Sequence, residues 1–128
     1  MTDLLKLSAR YIDDDVYEGP TSVHRVTTLL SEVADGVGFI EAFSNVVLLD
    51  SGDGLVVFDT SLELFGHAVL ASLRGWSSAP LHTIGYTHGH VDHVGGSKAL
   101  LAEAQSRGDA RPVARAARAR FGRPRVFQ

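Results

Sequence analysis

Two β-branched apolar runs, "NVVLLD" at 45–50 and "LVVFDT" at 55–60, flank the cluster "DSGDG". Runs of this length and composition read as buried strands, and Gly/Asp clusters read as tight turns. The chain is thereby committed to a β-hairpin, with Gly52 or Gly54 supplying a positive φ. Upstream, "GFIEAF" from Gly38 alternates moderately and marks where the sheet-like pattern begins. After Thr60 and Ser61 the period changes, and Leu62, Phe65, Val69, Leu70 and Leu73 share one helical face. Thr60 or Ser61 is the predicted N-cap, Gly75 the predicted end, and Pro80 marks the loop beyond. "LHTIGYT" then reads as a short buried strand, and "KALLAEAQ" as a second helix with Ser97 as its cap. Hairpin, helix, strand, loop and helix, joined by short connections, predict an α/β layered fold.

Between that strand and the second helix lies "YTHGHVDHVGG", residues 86–96. Three of the chain's six histidines fall within it, in the pattern His88-x-His90-x-Asp92-His93. Neutral imidazole and carboxylate are ligands that zinc and similar divalent ions accept. In an irregular loop after a strand, His88 and His90 can face one ion while Asp92 and His93 turn toward a second. Two ions a few ångströms apart hold both sides of a displacement at a phosphorus, sulfur or carbonyl centre. Such crowding suits a core poorly, because each buried imidazole needs a polar partner. The end of a strand in an α/β unit is also where sites are commonly built. His24, His67 and His82 are isolated and read as surface or satisfied residues rather than ligands.

A chain of 128 residues suffices for one compact domain, and its 45% hydrophobic and 21% charged content is ordinary for a globular protein. No apolar run reaches the roughly 18 residues that span a bilayer, and "MTDLLKLSAR" lacks the pattern of a secretory signal. Cysteine is absent, which excludes disulfides and thiolate metal sites and leaves cytoplasm as the default compartment. The net charge of −3 hides an asymmetry. From Arg107 onward, seven arginines face a single acid, Asp109.

The loop resembles the signature of the metallo-β-lactamase-fold hydrolases, T-H-x-H-x-D-H, here Thr87 to His93 followed by Gly95-Gly96. "SNVVLLDSGDGLVVFDTSL" resembles that fold's opening strands, and the resemblance runs from about Gly36 to Gln105. In texture the chain is most similar to the alkyl sulfatase-like branch. The resemblance implies the N-terminal half of an αββα sandwich and a zinc-dependent hydrolase, with one or two ions and manganese or iron as alternatives. It makes His88 and His90 ligands of a first metal and Asp92 and His93 ligands of a second. Asp92 also becomes the catalytic carboxylate that holds or accepts a proton from the nucleophilic water. Asp59 becomes the carboxylate that orients the loop from behind. A metal-held hydroxide attacking a small-molecule ester, a sulfate ester of an aliphatic alcohol in particular, is the implied reaction.

The sequence also departs from that pattern. No histidine follows His93, and past Glu103 the sole carboxylate is Asp109, so the second half's ligands are missing. The tail turns into an Arg/Ala/Pro/Gly mixture without strand alternation, as an out-of-frame reading of a GC-rich gene would. The expected organisation is an acidic lead-in over 1–35, a half domain over 36–106, and an Arg/Ala-rich tail over 107–128 that is disordered or outside the family pattern. "YIDDDVYEGP" within the lead-in reads as a solvated surface run. A truncated, non-catalytic fragment with weak or no metal binding is the alternative reading. The lost half would leave an apolar sheet face bare, so self-association is expected. Nucleic acid is disfavoured as a partner, because the basic tail carries no interleaved aromatics.

Overall fold

A computed structural model of the chain describes residues 3–15 and 24–116. Six strands form one sheet in sequence order among these residues: β1 (Leu30–Ala34), β2 (Val37–Ile40), β3 (Val46–Asp50), β4 (Leu55–Phe58), β5 (Leu81–Tyr86) and β6 (Val113–Ala116). The first four make an antiparallel meander, and β5 and β6 add in parallel. The β3–β4 hairpin is the one the two apolar runs predict. Its turn draws on both glycines, Gly52 at φ +82° and Gly54 at φ +145°. The Gly52 amide donates to Asp50 Oδ1 at 3.0 Å, and Ser51 Oγ donates to the Gly54 carbonyl at 2.7 Å.

A parallel neighbour for β4 requires a crossover, and α2 (Gly66–Trp76) provides it. Val69 and Leu73 of α2 are completely buried against Ile40, Leu48, Leu55, Val57 and Ile84, with Leu100 of α4 (Ser97–Arg107) in the same cluster. Each such aliphatic side chain contributes roughly 1.5–3 kcal/mol through burial. Arg74 of α2 grips Glu103 of α4 through two bonds, Nε to Oε1 at 2.7 Å and Nη2 to Oε2 at 2.8 Å. That fork fixes the spacing between α2 and α4, the helix into which the histidine loop runs.

The strand register places Phe39, Val47, Leu49, Val56, Phe58 and Val113 together on the opposite face. Only one end of this face is covered among the described residues, where α1 (Leu4–Asp13) lies against β1. Between them is a cavity of about 340 Å³ bordered by Leu7, Tyr11, Phe39 and the buried Arg25–Glu41 ion pair. Farther along, Phe58, Leu49 and Val113 remain substantially exposed.

Several local expectations are corrected. The acidic lead-in contains a helix, α1, capped by Asp3, whose side chain accepts from the Lys6 amide at 3.0 Å. Asp13, Asp14 and Asp15 at its end are exposed, as a solvated run should be. The sheet starts at Leu30 rather than Gly38, because β1 pairs with β2 across a two-residue turn in which Gly36 has φ +68°. Neither Thr60 nor Ser61 caps α2; a 3₁₀ turn over Glu63–Phe65 precedes it, and α2 has no side-chain cap. The helix passes through Gly75 to Trp76, since a glycine in an open last turn costs little. Ser97 lies inside α4 instead of capping it. A strand does occur in the arginine-rich stretch: β6 is exposed at all four positions, held by backbone pairing to β5 without an apolar face of its own. The remainder of the predicted tail, 117–128, lies outside the described residues. No helix among the described residues is long and apolar enough to cross a membrane.

Candidate metal and hydrolase site

Parallel pairing brings the C-terminal ends of β4 and β5 side by side, and the Asp59 amide donates to the Gly85 carbonyl at 2.8 Å to extend the ladder by one residue. Beyond it the backbone turns sharply. Asp59 (φ +58°) and Ser61 (φ +63°) both adopt left-handed conformations that L-residues rarely take. The turn is held by the histidine loop. The Thr60 amide and hydroxyl both donate to the His93 carbonyl, at 2.7 and 3.1 Å, and the Gly96 amide donates to the Ser61 carbonyl at 3.0 Å. Thr60 Oγ1 also lies 3.1 Å from Ser97 Oγ, which in turn lies 2.7 Å from the Tyr86 hydroxyl. The hydroxyls that resemble helix caps in sequence are thus fasteners between strand end and loop.

Gly95 and Gly96 make this approach sterically feasible. A Cβ on Gly95 would fall 2.5 Å from the Glu63 amide nitrogen, and one on Gly96 would overlap the Thr60 carbonyl oxygen. Gly96 also packs directly against Gly66 at the start of α2. The small pair after the last histidine is therefore a contact surface.

The loop ends in α3 (Val91–Val94), a single turn begun at His90. All four residues singled out from the sequence meet here. His88 and His90 are exposed, with His88 Nε2 and His90 Nδ1 3.0 Å apart. The His88 ring centroid lies 4.5 Å from that of His90 and 4.0 Å from that of His93. Asp92 Oδ2 and His93 Nε2 are 3.5 Å apart and half-buried. Asp59 underlies them: its Oδ1 accepts from the Thr87 amide at 2.8 Å and its Oδ2 from the Thr87 hydroxyl at 2.7 Å. His93 Nδ1 lies 2.8 Å from the same Oδ2. With Nδ1–H given to Asp59, His93 presents Nε2 outward as a lone pair.

Burial acts to raise the Asp59 carboxyl pKa, but the bonds from His93 and Thr87 outweigh it and hold the group below its ordinary range. Asp92 is also held low, chiefly by the hydroxyl of Ser44, which donates to Oδ2 at 2.8 Å. Ser44 sits in the connection between β2 and β3 and was not anticipated from the sequence, where nothing local links it to a loop 48 positions away. His24, His67 and His82 are exposed and lie outside the loop, as expected.

Two ligands of a tetrahedral zinc, each at 2.0–2.1 Å, stand about 3.3 Å apart. The pairs His88/His90 and Asp92/His93 bracket that spacing at 3.0 and 3.5 Å. No group of three or more imidazoles and carboxylates is gathered about one point among the described residues. The donors therefore approach that spacing only in pairs, and no third donor joins either pair among the described residues.

A mixed sheet with α2 and α4 packed on one face, and a histidine–aspartate loop at the ends of β4 and β5, is the α/β architecture in which the site is built. The family model of the metallo-beta-lactamase superfamily matches residues 40–124, more than half of the chain, and the chain belongs to that family. A linear primary-alkylsulfatase of Pseudomonas sp. is 37% identical over 59 residues, which cover 45% of this chain and 11% of the relative. A B3 metallo-beta-lactamase with an active-site glutamic acid superposes with a TM-score of 0.53 at 27% identity, over 66% of this chain and 32% of the other. The stereoselective inverting sec-alkylsulfatase of Pseudomonas sp. shares the fold, with a TM-score of 0.51 at 24% identity over 63% of this chain and 13% of its own. The chain spans about a tenth of the length of the curated relatives it matches.

Proposed function

We propose that this chain carries the first part of a zinc-dependent hydrolase site that acts on sulfate esters of aliphatic alcohols. The observation that carries the reading is the convergence of His88, His90, Asp92 and His93 at the ends of β4 and β5, with Asp59 fixing His93 from behind. His88 and His90 would hold one ion and Asp92 and His93 a second. Manganese or iron suits the same donors. A bound ion supplies Lewis acidity and a water nucleophile at neutral pH. Asp92, kept ionised chiefly by the Ser44 hydroxyl, would serve as the catalytic carboxylate that accepts a hydrogen bond from that water and orients it. The sulfate-ester preference draws its support from the alkylsulfatase relatives.

A second reading, a chain that binds metal weakly and does not turn over, is favoured by donors that come in pairs rather than in threes. Metal content per chain, on protein purified without chelator and then dialysed, separates the two. Close to two tightly held ions is the expected result, and His90→Ala should then abolish alkylsulfatase and esterase activity. Well below one ion, or activity that survives in His90→Ala, refutes the catalytic reading.

A further inference from the structure

A carboxylate at a metal site works only if its oxygens face the right way, and an aspartate side chain swings freely unless something holds it. At Asp92 the holder comes from a distant part of the chain. Ser44 is nearly buried. Its hydroxyl donates to Asp92 Oδ2 at 2.8 Å and lies 3.3 Å from His93 Nε2. Because His93 gives Nδ1–H to Asp59, Nε2 offers a lone pair, and the Ser44 hydroxyl is a donor within reach of both proposed ligands.

Ser44 is itself fixed. Its amide donates to Ser61 Oγ at 3.3 Å, and Ser61 is completely buried in a left-handed conformation. The unusual backbone at the end of β4 therefore serves two ends of one network. Asp59 supports His93 from one side, and Ser61 supports Ser44, and through it Asp92, from the other.

We infer that Ser44 is a positioning residue for Asp92, setting the direction in which the carboxylate faces the space it shares with His93. The inference rests on the assignment of Asp92 as a ligand, and its test is chosen to fail separately from that assignment. Ser44→Ala and Ser44→Thr are compared with the wild-type chain by two measurements. One is zinc affinity by competition with a chromogenic chelator; the other is the ¹³C resonance of the Asp92 carboxyl in metal-free protein at fixed pH. Ser44→Ala should shift that resonance and weaken zinc binding about tenfold, the usual size for loss of a group that orients a ligand. Ser44→Thr retains the hydroxyl and should restore both. An unshifted resonance in Ser44→Ala, or a threonine variant that behaves like alanine, overturns the inference. If the wild-type chain takes up no zinc, the functional proposal fails, and the carboxyl resonance alone decides for or against Ser44.

Discussion

β4 is entered and left through backbone that ordinary residues avoid, and its two ends handle the problem in opposite ways. At the turn end, Gly52 and Gly54 take the positive φ angles, and a Cβ on Gly52 would meet nothing within 4 Å. At the loop end, Asp59 and Ser61 take them, although each side chain in that conformation costs roughly 1–2 kcal/mol. Those side chains are retained because each makes bonds that glycine cannot, Asp59 to Thr87 and His93, Ser61 to Ser44. A turn needs only the shape, whereas the loop end needs shape and donors together. Strain kept under such bonding is characteristic of functional sites.

Three substitutions probe this contrast. The largest effect is expected from Gly96→Ala, because the added methyl overlaps the Thr60 carbonyl oxygen and also crowds Gly66, so backbone rather than a flexible side chain would have to shift. A loss of about 3 kcal/mol, at the upper end for overpacking, should appear as a lower urea midpoint. A near-neutral result would mean that loop and strand end are not pressed together.

Asp59→Asn comes next, at about 2 kcal/mol for bonds to a buried charge. Its signature is in the pH dependence. The folded-state pKa of Asp59 is depressed, so its contribution is fully present above the ordinary value of about 4 and is lost as pH falls through the lower folded value. Urea midpoints followed from pH 6 down to pH 3 should fall less steeply in the asparagine variant than in wild type. Parallel curves would show that the carboxylate is not held by His93 and Thr87.

The smallest effect belongs to Gly52→Ala at the turn end. It carries a cost of about 1 kcal/mol for a positive φ with no clash. Should this variant lose as much stability as Gly96→Ala by the same denaturation curves, the two ends would not differ in kind.

What the sequence disclosed follows the same division. The β3–β4 hairpin and the α2 crossover were legible because burial imposes a period, and apolar side chains record it. The four proposed ligands were legible because imidazoles crowd nowhere else in the chain. The fasteners were not. Thr60, Ser61 and Ser97 read as caps, since a hydroxyl ahead of an apolar helical face looks the same whether it bonds the helix or a neighbouring loop. Ser44 carried no local mark, because its role depends on a fold that brings it to Asp92. β6 was hidden for the opposite reason: pairing by backbone alone leaves no pattern in the side chains. α1 went unread as well: of the apolar residues in LLKLSARYID only Leu7 is buried, while Leu5 and Ile12 stay exposed.

The mixed order of the sheet also bears on how the molecule is made. β1 to β4 are joined to their nearest neighbours in sequence, so each pairing closes a short segment at small entropic cost. β5 cannot pair with β4 until the whole of α2 has been laid across the sheet, and only then do Asp59 and Thr60 meet the loop they hold. A chain leaving the ribosome N-terminus first can thus complete its meander well before the histidines are shaped. During that interval the far edge of β4 offers unpaired amides and carbonyls to any other strand, and a quick crossover is its protection against joining the wrong one.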